Sequence, residues 1–314
     1  MTHQLNSTLP TADLELDAVR AARAWLITAG AAGDLTEEIA AYVAELGPVA
    51  ARQQLLEGTA PAAVAVLLDA DRALDHTLSV GEGLGARLVV PEDAEWPAAL
   101  TAEGVLAPVG LWVRGTARLD QVLDHAVTVV GSRASTAYGE HVASDLAQGL
   151  ARGGWTVVSG GGYGIDAAAH RGAIATREGG AIAATGPTVV VTAGGLDRVY
   201  PSAHAALFER IVGDGGLLVS QAPLGAAPTN VRFRRRTALM VALSVGAVVV
   251  EAAARSSALY AVHAAQAIGR PVFAVPGPVT SACSVGCHML LTSGEARLVT
   301  GAADVLSALT ARPA

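Results

Sequence analysis

Residues 127–166 read VTVVGSRASTAYGEHVASDLAQGLARGGWTVVSGGGYGID, and this stretch decides the fold. Its first four residues, Val127 to Val130, are all β-branched and end at a glycine, as in a buried strand. A helical pattern follows from about Ala137 to Arg152. A second β-branched run, Thr156 to Val158, leads into another glycine-rich turn. Strand, helix and strand in this order indicate a β-α-β unit with parallel strands.

The same alternation of short strands and alanine-rich helical stretches continues towards the carboxyl terminus. The strands predicted from it are Val127–Val130, Thr156–Val158, Thr188–Thr192, Leu217–Ser220, Ala247–Val250 and Pro271–Val275. Continuous apolar strands are buried on both faces, so the fold class is α/β, with a mostly parallel sheet and helices on both faces. The segment from about residue 175 to 187 is expected to add a loop or helix between the second and third strands.

Residues from about 13 to 74 carry alanine and leucine at helical spacing, with interruptions at Gly30, Gly33 and Gly47. This pattern predicts a small bundle of short helices. A polar stretch from Asp75 to Gly85 separates it from the short apolar runs that begin at Arg87. We therefore expect two domains, a small helical domain over residues 1–80 and the α/β domain over residues 81–314.

Composition narrows the classes of function. Of the 314 residues, 52% are hydrophobic and 16% are charged, so the chain has a large apolar core. The longest uncharged apolar run, residues 237–250, is shorter than the roughly 20 residues of a membrane span. The first residues show no basic flank with an apolar stretch, so no signal peptide is expected and the predicted location is cytoplasmic. The net charge of −7 excludes a generally basic surface but is compatible with a local basic groove.

Nothing in the sequence calls for a metal or cofactor. The two cysteines, Cys283 and Cys287, lie beside His288, whereas a structural zinc site normally needs four ligands from two separated pairs. They are expected to be ordinary thiols. All 21 basic residues are arginines, which removes any lysine-based catalysis.

The turns that follow the predicted strands should converge, because ligands of open parallel sheets bind at the carboxyl ends of the strands. The first turn, Gly131-Ser132-Arg133, lies between a strand and a helix. A helix N-terminus offers unpaired backbone N–H groups, and an arginine adds a charged fork, so this turn is a candidate phosphate site. The alternative is an ordinary turn with a surface arginine.

The second turn runs from Ser159 to Asp166 and carries glycines at positions 160, 161, 162 and 164. Such a bare backbone suits a loop that touches phosphate or sugar. It does not match the dinucleotide fingerprint, because Ile165 stands where the third glycine belongs. Asp166 and His170 suggest an acid–base or metal pair. The alternative is that Asp166 caps a helix and His170 is a packed helix residue.

The third feature is Arg232-Phe-Arg-Arg-Arg236, a dense basic run that is expected just before a helix. It could grip a nucleic-acid backbone and stack a base on Phe233. The alternative is a solvated charged surface.

These motifs together resemble the DprA/Smf family in order and spacing, over roughly residues 85–305. The stretches that carry the resemblance are Trp96-Pro97, Leu111-Trp-Val-Arg-Gly115, Gly131-Ser-Arg133 with Tyr138-Gly139, Ser159-Gly160 with Gly164-Ile-Asp166 and Ala169-His170, Tyr200-Pro201, Phe233 with Arg236, Val250-Glu-Ala252 and Gly269-Arg-Pro-Val-Phe-Ala-Val-Pro-Gly277.

The resemblance implies an extended Rossmann-like domain preceded by a small helical domain of the SAM or helix-hairpin-helix type. It further implies a homodimer, without enzymatic activity, that binds and protects single-stranded DNA and loads the recombinase RecA in transformation or recombination. The site residues it implies are Gly131, Ser132, Arg133, Ser159, Gly160, Gly164, Asp166, Phe233 and Arg236. Arg133 would clamp a phosphate, and Arg236 would supply a second basic contact.

Some positions depart from the family pattern. The usual Arg-Asn-Arg after the phenylalanine reads Arg236-Thr237-Ala238, and the usual Ser-Gly-Ser-Leu-x-Thr reads Ser256-Ser257-Ala258-Leu259-Tyr260-Ala261. These changes remove a positive charge, a glycine and a hydroxyl from the expected ligand edge. Each lost charged hydrogen bond is worth about 1.5–3 kcal/mol, so weaker DNA binding is expected unless Arg234 and Arg235 compensate.

Three other functions can be compared with DNA binding. A nucleotide-binding or nucleotide-hydrolysing enzyme of the lysine-decarboxylase-like group would carry Pro-Gly-Gly-x-Gly-Thr and a following glutamate, but Pro276-Gly277 continues as Pro278-Val279. A serine hydrolase would need a glycine two residues before Ser159, where Val157 stands. A purely structural interaction protein stays open if the altered ligand edge does not bind DNA.

Overall fold

The computed structural model describes residues 11–32, 36–102, 105, 107–175 and 186–311, and the α/β class is confirmed. The strands are β1 Ala86–Val89, β2 Leu111–Arg114, β3 Ala126–Gly131, β4 Thr156–Gly160, β5 Thr188–Val191, β6 Leu217–Ser220, β7 Gly246–Val250, β8 Val272–Ala274 and β9 Arg297–Leu298. The helices are α1 Thr11–Ala32, α2 Glu37–Leu46, α3 Pro48–Leu56, α4 Ala62–Ala65, α5 Leu68–Arg72, α6 Leu74–Gly83, α7 Leu119–Val122, α8 Ala137–Arg152, α9 Ile165–Ala175, α10 Ala205–Gly213, α11 Asn230–Ala242, α12 Leu259–Ala267, α13 Val285–Thr292 and α14 Ala302–Thr310. Within these ranges, three short 3-10 helices are present: Ala98–Thr101, Ser202–His204 and Ala282–Ser284.

The strands form one sheet in the order β1-β2-β6-β5-β4-β3-β7-β8-β9 within the described residues. Strands β3 to β9 pair in parallel, while β1 and β2 are antiparallel additions at one edge. All six predicted strands are present. The sequence pattern did not predict the antiparallel pairing of β1 and β2 or the short edge strand β9. The predicted insertion near residues 175–187 lies mostly outside the described residues.

Helices cover both faces of the sheet. One face packs on α8, α9 and α14 through Val127, Val129 and Val157. The other packs on α11, α12 and α13 through Val130, Val158 and Val249. This alternation along each strand explains why the strands read as continuous apolar runs.

The amino-terminal helices pack onto the outer part of the sheet. Trp25 of α1 is fully buried, and its indole N–H donates to the carbonyl of Leu67 at 3.1 Å. The same apolar cluster includes Leu88 of β1 and Trp112 of β2. Helix α1 is longer than predicted because Gly30 lies inside it. The change from helix to strand falls between Gly83 and Ala86, and the domain division at residue 80 stays a prediction.

Candidate nucleic-acid interface

The candidate site lies at the carboxyl ends of β3 and β7. From β3 the chain builds the sheet towards β4, β5 and β6 on one side, and β7 and β8 are then added on the other. The order therefore reverses between β3 and β7, which is where open α/β sheets form their ligand crevice. Two adjoining depressions lie here, with volumes of about 210 Å³ and about 30 Å³. The predicted convergence of the turns is confirmed for this pair of strands.

Two glycines let the backbone close up beneath this crevice. A Cβ at Gly131 would lie 1.8 Å from the carbonyl oxygen of Val250, so no larger residue fits between β3 and β7. Gly164 has φ +70°, and a Cβ there would lie 2.3 Å from the carbonyl oxygen of Ser132. The Ser132 backbone joins the elements, since its N–H donates to the Glu251 carbonyl at 2.8 Å and its carbonyl accepts from Ile165 at 3.2 Å.

Arg236 enters the floor of the site because Gly160 has no side chain. A Cβ at Gly160 would lie 1.2 Å from Nη1 of Arg236. The arginine is buried, with Nη1 3.4 Å from Oδ2 of Asp166 and 3.4 Å from Sδ of Met240. Burial lowers the pKa of Arg236, and Asp166 opposes the shift, so the guanidinium stays charged. Within the described part of the chain, its Nε has no hydrogen-bond partner.

Asp166 and His170 hold this floor in place. Asp166 is buried, and its carboxylate also accepts from the backbone N–H of Gly162 at 3.2 Å. His170 is fully buried, with Nε2 2.9 Å from the Gly160 carbonyl and Nδ1 2.8 Å from the Thr188 hydroxyl. Burial lowers the pKa of His170 to about 4, although the Asp166 charge opposes this, so the ring is neutral at pH 7. A neutral, fully packed histidine fits the structural alternative for this residue.

Above the floor lies a cationic and aromatic cluster. The exposed Arg133 guanidinium lies over the ring of Phe233, 4.5 Å from its centroid, and Arg236 lies 5.7 Å from the same centroid. The exposed Tyr200 meets Phe233 edge to face at 5.9 Å. Arg133, Phe233 and Arg236 line both depressions, so the cluster stands between them.

The basic run was predicted to precede a helix, but it forms part of α11. Thr229 is the N-cap, and its side chain accepts the N–H of Arg232 at 3.3 Å. Helix α11 therefore starts at Asn230, and the helical period spreads the arginines around its axis. Arg236 is buried, whereas Arg234 and Arg235 are exposed. The run is not one continuous basic surface.

The N-terminus of α8, predicted as part of a phosphate site, is occupied by a side chain of the protein itself. The Glu251 carboxylate accepts from the backbone N–H of Thr136 at 2.8 Å and from its hydroxyl at 2.5 Å. Glu251 adopts φ 54°, which is uncommon for a residue other than glycine. A carboxylate at a helix N-terminus supplies the negative charge that a phosphate would bring. Arg133 consequently supplies the charged side chain of this predicted site that can reach a ligand.

The predicted site residues divide into two groups. Gly131, Arg133, Asp166, Phe233 and Arg236 line the depressions. Four others support the backbone beside them: Ser132, Ser159, Gly160 and Gly164. The Ser159 side chain is buried and donates to the Val129 carbonyl at 2.6 Å.

Several lining residues were not among the named site residues predicted from the sequence. Tyr163, Arg198 and Tyr200 line the smaller depression, and Asn230 and Tyr260 line the larger one. Four tyrosines that follow strands of this edge are exposed in the structure, which the sequence alone does not reveal: Tyr138, Tyr163, Tyr200 and Tyr260.

Neither cysteine lines either depression. Cys287 is buried, which raises the pKa of its thiol to about 11, and Cys283 is partly exposed. Across the described ranges, no group of three or more metal-binding side chains comes together.

Comparisons with known proteins agree with this geometry. Residues 87–310 match the family described as DNA recombination-mediator protein A. A putative DNA processing protein DprA from Mycobacterium tuberculosis is 45% identical over 91% of this chain and 74% of its own length. DNA processing protein DprA from Streptococcus pneumoniae is 37% identical over 64% of this chain and 67% of its own length.

Solved structures show the same relationship. The crystal structure of DprA from Streptococcus pneumoniae superposes with a TM-score of 0.70 at 28% identity, covering 95% of this chain and 98% of its own. DNA processing protein A from Helicobacter pylori, described for its single-stranded DNA binding mode, superposes with a TM-score of 0.60 at 25% identity, covering 71% and 96%. Fold, motif order and sequence identity together show that the chain belongs to the DNA recombination-mediator protein A (DprA/Smf) family of DNA-processing proteins.

Proposed function

We propose that this chain binds single-stranded DNA across the two depressions, without base-sequence specificity. The observation that carries the proposal is the cluster in which Arg133 lies over Phe233 above the buried Arg236. An arginine beside a partly exposed aromatic ring offers a phosphate contact and a stacking surface together. Because phosphate contacts and stacking do not read base edges, the expected preference is for single strands of any sequence.

The buried Arg236 supports an anionic ligand. Its Nε lacks a partner within the described residues, and the 3.4 Å separation from Asp166 is longer than an optimal charged hydrogen bond. A buried charge that is incompletely paired is costly. A phosphate in the larger depression would complete its contacts.

The shape of the site favours a strand over an enclosed small ligand. The larger depression, about 210 Å³, is below the ~300 Å³ at which pockets for small-molecule ligands begin. A hydrolytic enzyme would enclose most of its nucleotide. We therefore rank the nucleotide-enzyme alternative below DNA binding, and nucleotide hydrolysis is not part of the proposal.

Binding is tested by fluorescence anisotropy of labelled oligothymidine over a salt series. We expect salt-sensitive binding, with log affinity falling by roughly 0.7 per neutralised phosphate for each unit of log salt, and weaker binding to duplex DNA. Arg133→Ala should reduce the affinity roughly tenfold or more. Arg152→Ala is the matched control, because this exposed arginine ends α8 at the opposite edge of the sheet. Equal affinities of the two variants would contradict the proposal.

Three finer parts of the proposal rest on family membership. The chain would form a homodimer, shield the strand from nucleases and pass it to the recombinase RecA in the cytoplasm. RecA loading is tested by following RecA-dependent ATP hydrolysis on DNA precoated with a single-strand-binding protein. Wild type should shorten the lag, and Arg133→Ala should not. No helix within the described ranges has the length and apolarity to cross a bilayer.

A further inference from the structure

A second guanidinium–aromatic pair lies on the larger depression, apart from the Arg133–Phe233 pair. The Arg234 guanidinium carbon lies 5.2 Å from the ring centroid of Tyr260. Both residues line the depression of about 210 Å³, and both are exposed, with 44% of Tyr260 accessible. An arginine at this distance is held by the ring's negative face. The two side chains therefore form a contacting pair on the surface of this depression.

The two pairs connect α11 to different turns of the crevice. Arg133 follows β3, whereas Tyr260 lies in the first turn of α12, which follows β7. Helix α11 supplies the other member of each pair, as Phe233 and Arg234. Because successive helix residues point about 100° apart, the two side chains leave α11 in different directions. All four side chains line the larger depression.

We propose that Tyr260 and Arg234 form a second stacking site for single-stranded DNA, which receives one base while another base of the same strand lies against Phe233. This inference rests on the proposed function and deepens it. The chemistry is the same at both places: an aromatic ring takes the face of a base, and the adjacent guanidinium lies within reach of the phosphate beside it.

The positions of α11 that differ from the family pattern also support this site. At the place of the arginine expected from the family pattern stands Ala238, which does not line either depression. Arg234 restores a positive charge on the same helix, and it lies on the larger depression beside Thr237. The contact to DNA is thereby moved towards α12, where Tyr260 provides the ring.

The first test compares Tyr260→Ala with Tyr260→Phe on oligothymidine and on an abasic strand of the same length. Tyr260→Ala should lower the affinity for oligothymidine roughly 5- to 150-fold, the range found for loss of one stacked base. Tyr260→Phe, which keeps the ring, should bind as wild type does. On the abasic strand Tyr260→Ala and wild type should bind equally. Equal loss of affinity on both strands would show that the ring only supports the fold, and would overturn the inference.

The second test compares Arg234→Ala with Arg235→Ala. Both remove one exposed charge from α11, but Arg235 lines neither depression. Arg234→Ala should weaken binding and reduce the salt slope by about 0.7, whereas Arg235→Ala should retain the wild-type slope. Identical slopes for the two variants would overturn the role of Arg234.

A third measurement uses the wild-type protein alone. Oligothymidine carrying 2-aminopurine at one position in turn should show altered stacking fluorescence at two separate positions of the bound strand. A single affected position, with Arg133→Ala still weakening binding, would overturn the second site and leave the proposed function intact. Failure of wild type to bind oligothymidine at all would overturn both.

Discussion

At the scale of single residues, the site depends on a glycine that admits an arginine. Gly160→Ala would place a Cβ 1.2 Å from Nη1 of Arg236, so the guanidinium must leave its position. We expect a loss of about 1–3 kcal/mol in the free energy of unfolding, together with weaker oligothymidine binding. Urea denaturation and anisotropy measure the two effects. Gly213→Ala is the matched control, since a Cβ there meets nothing within 4 Å, and it should alter neither quantity adversely.

His170 makes stability depend on pH. Its pKa falls from 6.5 in the unfolded chain to about 4 in the folded protein, because it is fully buried. Below pH 6.5 the unfolded chain binds a proton that the native state does not. The contribution of neutral His170 to the free energy of unfolding is therefore complete above pH 6.5 and is lost as the pH falls to about 4. The total loss is about 3 kcal/mol.

The prediction is measured by urea denaturation midpoints between pH 7.5 and 4.5. His170→Gln should flatten the dependence on pH, although it lowers stability at pH 7. His141→Gln, at an exposed position, should follow the wild-type curve. If the curve for His170→Gln ran parallel to that of wild type, groups other than His170 would determine how stability depends on pH.

The sequence predicted the members of this site better than their roles. Arg133, Phe233 and Arg236 were found from their motifs, and the structure brings them together. The burial of Arg236 could not be read from its neighbours in the chain, because the space it fills is created by Gly160, more than seventy residues earlier. Tyr260 was equally hidden, since its partner lies on another helix.

At the scale of elements, the start of α8 is fixed by Thr136 and Glu251. The Thr136 hydroxyl accepts from the N–H of Gly139 at 3.2 Å and donates to Glu251. Thr136→Ala should destabilise the protein by about 0.5–2 kcal/mol, the usual loss for an N-cap, and Thr136→Ser should retain most of the stability. Thermal denaturation measures both. Because DNA is proposed to contact Arg133 and not this helix end, oligothymidine affinity should change little in Thr136→Ser.

Strands were predicted wherever burial on both faces made them continuously apolar. The exceptions were at the edges, where β9 has only two residues and both are exposed. The run at Arg87 was recognised as apolar, but its antiparallel pairing with β2 depends on a partner some 25 residues later, which local pattern does not specify. Helix α11 begins before the basic run and not after it, because Thr229 caps the helix at that point.

At the scale of the whole molecule, the amino-terminal helices share a core with the sheet. Trp25 belongs to the same cluster as Leu88 and Trp112. Trp25→Ala should therefore reduce stability by about 3–5 kcal/mol, and wild type should unfold in one transition seen equally by fluorescence and far-UV circular dichroism. Leu56→Ala, at an exposed position of α3, is the control. Two separate transitions would instead support an independent helical domain over residues 1–80.

The internal carboxylate at α8 has a consequence for how a strand is released. Because the Glu251 carboxylate already binds the helix end, the backbone offers no anion site there, and the proposed DNA contacts come from a few separate side chains. Side chains detach one at a time. A polymer held at several weak points can be peeled away by a competitor that takes each point as it opens, whereas one locked in a rigid backbone cradle must leave in a single costly step. For a protein proposed to transfer its DNA to a recombinase, separate and individually weak contacts make that transfer easier.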